Sequence, residues 1–245
     1  MPSERRPRRP FLTARWSNLL LVSYAVDEGV LRPRLAPGLE LDRFEGRAAV
    51  SLVAFDFLDT RVRGVRWPGL VSFPEVNLRY YVRQPASDRH PERRGVSFIR
   101  ELVPKWLIAA TARRLYNEPY VACPMRSRVE TADGAVRMRH WFSVGGSEHT
   151  IEAEAEAKAA IPPEGSPEHW FKEHQWGFGT DRRGRLLVYE VRHPHWQTRS
   201  VRSLIIGVDF AKVYGQEWAF LKDAEPVSVA WAVGSAIEVY PHARG

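Results

Sequence analysis

Phe73-Pro74-Glu75-Val76-Asn77-Leu78-Arg79-Tyr80-Tyr81-Val82 alternates strictly between two kinds of side chain. As a strand it sends Glu75, Asn77, Arg79 and Tyr81 to one face and Val76, Leu78, Tyr80 and Val82 to the other. The second face reads as core. The first carries an acid, an amide and a guanidinium in consecutive slots. Facing bulk water it is an ordinary solvated surface; lining a cavity it is a preorganised polar site. Composition does not choose between the two. The chemistry open to the face is that Glu75 acts as general acid or base, Arg79 grips a carboxylate or enolate oxygen, and Asn77 donates to a carbonyl oxygen. The structural alternative is a closed Glu75–Arg79 pair inside the sheet.

Outward from this strand, Ala48 to Leu58 is rich in Val and Phe and reads as a strand. On the other side the charged stretch 84–94 reads as a hairpin loop, and Val96 to Ile99 pairs back. Thr13 to Tyr24 gives a buried strand. Asp27 caps a short helix over 28–35, stopped by Pro37-Gly38. Pro104 opens a helix over 104–116, where Trp106, Leu107, Ala110 and Leu115 fall near one stripe. That helix is expected to cover the apolar outer face of the central strand through Trp106 and Leu107. Asn117 suits a left-handed cap, and Pro119 forbids continuation.

Between 126 and 161, turns at Ala132-Asp133-Gly134 and Gly145-Gly146 separate three strands. The composition of Ile151 to Lys158 favours helix, but its two-residue alternation and the flanking hairpins favour a strand with an acidic outer face. Ser166-Pro167-Glu168 opens a helix over 167–176. Leu186 to Val191, Val227 to Val233 and Ala236 to Tyr240 complete the strands. The expectation is one domain, residues 11–245, mainly antiparallel β with a few helices, behind a disordered basic tail at 1–10.

The bulk numbers agree with a globular chain. A length of 245 residues suits a single large β domain. Hydrophobic residues make up 44% and charged residues 27%, which are ordinary values and exclude a low-complexity chain. Net charge is +7, of which the first ten residues supply +3, so the rest is too weakly basic to point to nucleic acid. The N-terminal stretch lacks the apolar core of a signal peptide, and Leu19 to Val26 is far short of a membrane span. A soluble, cytoplasmic protein is expected. The single cysteine, Cys123, excludes an internal disulfide and a thiolate metal cluster, and reads as a buried bystander.

Rossmann and P-loop spacings, a nucleophile elbow and HExxH do not occur. His193-Pro194-His195-Trp196 places two imidazoles close together, with His140 or His149 as a third ligand, but the preferred reading packs His193 and His195 around Trp196. His169 and His174, five apart on a helix, point about 140° apart. No metal and no cofactor are expected. Lys105, near a helix start, reads as solvated rather than as a nucleophile.

The order of these pieces carries a resemblance. Leu12-Thr13-Ala14-Arg15-Trp16, Leu31-Arg32-Pro33 to Gly38-Leu39-Glu40-Leu41-Asp42, Val53-Ala54-Phe55, Glu75 to Val82, Gly95-Val96-Ser97-Phe98 and Ala112-Arg113-Arg114-Leu115-Tyr116 to Pro119-Tyr120 resemble the YqjF-like family of uncharacterised proteins, itself similar to acetoacetate decarboxylase. The resemblance implies a closed, cone-like antiparallel β-sheet around a small-molecule cavity, with helices packed outside. In the decarboxylase a Schiff-base lysine follows a Tyr-Pro or Phe-Pro pair. The matching segment here is Glu118-Pro119-Tyr120-Val121, with Tyr120 and Val121 at the two lysine positions. The enzyme's early arginine matches Ala25, and one of its two cavity glutamates matches Val53. Glu75 persists, with Asn77 and Arg79 beside it. The resemblance implies a cavity for an anionic or carbonyl-containing small molecule, with Glu75 catalytic and Asn77, Arg79 and Tyr120 binding substrate. An enzyme without a Schiff base is the first reading, a non-catalytic binder the second and a structural barrel the third. A homo-oligomer is compatible with all three.

Overall fold

The alternating stretch forms β4 (Phe73–Gln84). The computed structural model describes residues 9–110 and 117–244, without the side chains of 242–244, so the expected tail lies almost wholly outside the described residues. β4 pairs antiparallel with β3 (Ala49–Val62), where Phe55 faces Glu75 and Val53 faces Asn77, and with β5 (Arg93–Val103), where Glu101 faces Asn77. The pairings continue from β5 through β10 (Trp176–Thr180) and β11 (Leu186–Arg192) to β13 (Ser228–Arg244). β13 and β3 both pair with β1 (Leu12–Ala25), so the hydrogen-bonded path closes on itself. Beyond β13 the sheet runs on through β12 (Thr198–Gly207), β9 (Ser147–Ala160), β8 (Ala135–Val144) and β7 (Met125–Ala132). β2 (Glu40–Leu41) adds to β4.

The fold is mainly β, as expected, but the sheet is mixed. β5 runs parallel to β10 and to β6 (Tyr120–Ala122). Gly95 makes the first of these pairings close: a Cβ there would lie 2.1 Å from the Trp176 carbonyl oxygen. The two C-terminal strands are one long strand bent at Gly234, whose φ of +85° few other residues adopt.

Period-two alternation puts two clusters on the two faces of the ring. Val76, Leu78, Tyr80 and Val82 pack outside with Leu20, Val22, Leu52, Met138, Ile151 and Trp218. The cover over this face is therefore the β7–β8–β9 extension together with α4 (Phe210–Tyr214) and the 3-10 helix Gln216–Lys222. Among the described residues, the helix expected over 104–116 does not supply it. Its described turn, α2 at residues 106–110, leaves Trp106 71% and Leu107 43% exposed and instead buries Ala109 in the inner cluster with Phe55, Phe57 and Trp196. Residues 111–116 of that helix lie outside the described residues. The reason for the difference is register: one apolar stripe was read at 106–107, while the chain turns in the adjacent positions 108–109.

The other helices are shorter than expected. α1 (Glu28–Leu31) starts at Asp27, whose carboxylate accepts from Gly29 N at 2.7 Å, and passes into a 3-10 turn at Arg32–Arg34. α3 (Pro167–Lys172) starts at Ser166, which accepts from His169 N at 3.2 Å, and gives way to β10 at Trp176. The ambiguous run 151–158 is a strand: Ile151, Ala153 and Ala155 are buried, and Glu152, Glu154 and Glu156 pair with Arg139, Arg137 and Arg202 on the outside. β12 and α4 were not foreseen in the sequence.

Candidate functional site

β4 runs its polar face along the inside of the ring. Glu75, Asn77 and Arg79 all line one cavity of about 190 Å³. Its wall is mostly aromatic and aliphatic, with Trp16, Phe55, Phe57, Phe73 and Trp196 from the inner cluster. Four residue steps along the strand separate Glu75 from Arg79, a span of about 13 Å at ~3.3 Å per residue. The cavity is thus polar at two ends, acidic near Glu75 and cationic near Arg79.

Three carboxyls gather at the acidic end. Glu75 is 3% exposed and Glu101 1%. Asn77 Nδ2 donates to Glu75 Oε1 at 3.0 Å, and Tyr120 Oη lies 3.4 Å from Glu75 Oε2. Glu118, buried two residues before Tyr120, accepts from Tyr189 Oη at 2.5 Å. Desolvation dominates this end. It pushes the Glu75 carboxyl up to about 8, against the bond from Asn77 and with help from the charge of Glu118. It pushes Glu118 up to about 7, against the bond from Tyr189. Glu101 is held well above the carboxylate range by burial and then by its two acidic neighbours. The same burial raises the Tyr120 phenol.

The cationic end is built by α3. Arg79 Nη2 donates to the Phe171 carbonyl at 3.2 Å, and Tyr81 Oη donates to the same oxygen at 3.3 Å. Lys172 follows with a fully buried side chain that lines the cavity, its Nζ paired with Glu173. His174 Nε2 donates to Asp42 Oδ2 at 3.1 Å, and Asp42 also accepts from Arg94 Nε at 2.7 Å. Burial pushes the His174 imidazole down to about 4 despite Asp42, so the ring is neutral. The Asp42 carboxyl is held below its usual range, its burial outweighed by the bonds from His174 and Arg94.

Several buried polar atoms on this wall have no hydrogen-bond partner: Asn77 Oδ1, Arg79 Nε, Glu101 Oε2, Trp16 Nε1 and His174 Nδ1. Buried polar groups are ordinarily paired, so this concentration of unpaired atoms sets the wall apart from a packed core.

Against the sequence reading, Glu75, Asn77, Arg79 and Tyr120 do converge on one cavity. Glu75 and Arg79 form no ion pair among the described residues, which removes the closed-pair alternative. Protonation, rather than a cation, neutralises the buried acid. Two acids that the sequence reading did not single out, Glu101 and Glu118, line the same cavity. Glu101 was legible as the residue facing Asn77 once β5 was registered. Lys172 was missed; the available signal was a lone lysine among Trp170 and Phe171 in a chain with few lysines. Val121 is 36% exposed, Lys105 is exposed, and Cys123 is buried with its thiol pushed up to about 11.

The histidines separate. His140 and His149 are held elsewhere, at the Phe55 carbonyl and the Asp209 amide, so neither completes a set with His193 and His195. His193 stacks on Trp196 with 3.9 Å between ring centroids, as expected. His195 turns away to Glu173, with Nδ1 2.8 Å from Oε2.

Comparison with known proteins agrees with this architecture. Residues 13–236 match the model of DUF2071, described as an uncharacterized conserved protein. The uncharacterized protein YqjF of Bacillus subtilis (strain 168) is 26% identical over 199 residues, 78% of this chain and 76% of that protein. Among solved structures, the enduracididine biosynthesis enzyme MppR complexed with pyruvate is similar with a TM-score of 0.62 and 16% identity, over 98% of this chain and 91% of that one. Acetoacetate decarboxylase from Legionella pneumophila has a TM-score of 0.60 and 14% identity, over 100% and 91% of the two chains. Among the described residues no helix is long and apolar enough to cross a membrane. With its closed ring, its internal polar strand face and a family match over nearly its whole length, the chain belongs to the DUF2071 family and has the acetoacetate decarboxylase-like fold.

Proposed function

We propose that this protein catalyses proton transfer on a small carbonyl-containing carboxylate held in the cavity, without a Schiff base on the Tyr120–Val121 segment. The observation that carries the reading is the acidic end: buried carboxyls whose affinities for protons are displaced toward neutrality, facing a mostly apolar chamber. A general acid and a general base work best when their pKa values lie near the operating pH.

In this reading the substrate carboxylate lies toward Arg79 and Lys172, and its carbonyl toward Glu75. Glu118, the more acidic of the two, takes a proton from the carbon next to the carbonyl. The electron pair of that C–H bond forms a carbon–carbon double bond while the carbonyl π pair moves onto the oxygen, which receives a proton from Glu75. The product is the enol, and the reverse steps return the proton from solvent. Asn77 fixes the Glu75 carboxyl, and Tyr120 donates to its second oxygen. Low dielectric strengthens each of these contacts. MppR is described with pyruvate bound, which makes 2-oxo acids the first probes.

The test is exchange of the carbon-bound protons of pyruvate and acetoacetate in D2O, followed by NMR. Protein-dependent exchange that disappears in Glu75→Gln supports the reading. Absence of exchange across a panel of 2-oxo and 3-oxo acids refutes it.

A second reading, binding without turnover, is favoured by the unpartnered Asn77 Oδ1 and Arg79 Nε, which a bound amide satisfies without any chemistry, its N–H donating to the first and its carbonyl accepting from the second. Saturable binding by calorimetry with no proton exchange selects that reading.

A further inference from the structure

We propose that His169, Glu173 and His195 form a divalent transition-metal site at the rim of the cationic end of the cavity. Each offers one ligand atom, and the three atoms lie within 4.8 Å of one another. The proposal stands independently of the proton-transfer reading, since none of the three belongs to the acidic end.

Local structure brings the set together. His169 lies in α3 and Glu173 caps it four residues later, a spacing that puts both on one side of a helix. His195 comes from the loop between β11 and β12. That loop is pinned by His193, stacked on the buried Trp196, so the side chain between them is presented toward α3. His195 Nδ1 stands 2.8 Å from Glu173 Oε2. The His169 and His195 rings are near-parallel at 19°, with centroids 6.1 Å apart.

These dimensions suit a shared ion. Metal–nitrogen and metal–carboxylate bonds are about 2.0–2.2 Å, so two ligand atoms on one tetrahedral ion stand roughly 3.3 Å apart. Bringing atoms within 4.8 Å to that spacing needs only small side-chain rotations, and His195 is free to make them with 70% of its side chain exposed. Two imidazoles and one carboxylate suit zinc, cobalt, nickel or ferrous iron rather than calcium or magnesium, which take oxygen ligands. Three protein ligands leave a position open for water or a ligand group.

The surroundings supply what such a centre needs. The second oxygen of Glu173 is engaged by Lys172 Nζ, an outer partner that orients a ligating carboxylate. Lys172 and His174, which flank Glu173, and His193 and Trp196, within two residues of His195, line the cavity. An ion at the rim therefore borders the same chamber. The competing explanation is a simple hydrogen bond between His195 and Glu173, with His169 an adjacent bystander.

Cobalt(II) titration of the full chain, read by its visible d–d absorption, separates the two. The expected result is one cobalt per chain, displaced by zinc and not by magnesium. His195→Ala changes an exposed loop side chain and leaves the fold intact, as circular dichroism will check. It is expected to weaken cobalt binding at least tenfold, as is His169→Ala. Absence of the band, or a band of equal affinity in His195→Ala, overturns the proposal; the second result would assign the ion to other groups.

Discussion

Glu75 shows how burial redirects a side chain's chemistry. Burial outweighs the bonds from its amide and phenol neighbours and pushes its carboxyl up to about 8. Glu75→Gln keeps the shape and the partner to Tyr120 while removing the transferable proton. Exchange of substrate protons is expected to fall by about 100-fold or more with the melting temperature retained or raised, because removal of an acid–base group costs roughly 10²–10⁴ in rate. Arg79→Leu is expected to act differently. Arg79 is not bonded to Glu75, and its charge is the least of the influences that lower that carboxyl's proton affinity, so its loss leaves Glu75 more firmly protonated and removes a cation from the far end. Calorimetry should register at least a roughly tenfold weaker affinity for a carboxylate probe, the scale of one charge-assisted hydrogen bond. Lys172 bears on the proposal of a reaction without a Schiff base. Its Nζ is engaged by Glu173, a role for a cation. Borohydride added with acetoacetate is expected to leave the mass of the protein unchanged; an adduct mapped to Lys172 would overturn that role.

At the scale of elements, the site depends on β4, β5, β10 and α3 keeping their relative positions. Gly95 pairs with Trp176 where β5 meets β10, and an added Cβ would also meet Phe178 at 2.7 Å. Gly95→Ala is expected to cost about 1–3 kcal/mol, the usual effect of overpacking, and thermal unfolding measures it. α3 is held by its Ser166 cap and by the bonds from Arg79 and Tyr81 to the Phe171 carbonyl. Its brevity explains why sequence reading made it too long. Its apolar residues plug the end of the ring, where Phe171 packs with Tyr81 and Val96, and the chain must turn directly into β10. Trp106 and Leu107 carry the opposite lesson. Helical spacing defines a stripe, yet which stripe is buried depends on the neighbour it meets, and here Ala109 is buried in the inner cluster while Trp106 and Leu107 stay exposed.

For the whole molecule, the buried acids set a dependence of stability on pH. Glu75 and Glu118 have folded values of about 8 and about 7, above their ordinary 4.5. Above about 6.5, where the buried His174 is neutral in both states, these two groups make the folded protein hold more protons than the unfolded chain, so stability falls as pH rises. The contribution is complete below about 4.5 and is lost as pH climbs through about 7 and then about 8. Denaturant unfolding at a series of pH values is expected to show this decline, with a shallower slope in Glu75→Gln. An unchanged slope in that variant would place the proton elsewhere.

The alternation of residues 73–82, the turns at Asp133-Gly134 and Gly145-Gly146 and the caps at Asp27 and Ser166 were legible because they are local. Each depends on backbone geometry within a few residues, and sequence encodes that directly. The same alternation put Glu75, Asn77 and Arg79 on one face, but not on the inside. Closure of β1 onto β13 decided that, and it joins residues more than two hundred positions apart. Tertiary structure likewise brought Glu101 and Glu118 beside Glu75, buried Lys172 and swung His195 toward Glu173 rather than against Trp196. Proton affinities and ligand geometry follow from desolvation and from distances across elements, and those quantities exist only once the ring has closed.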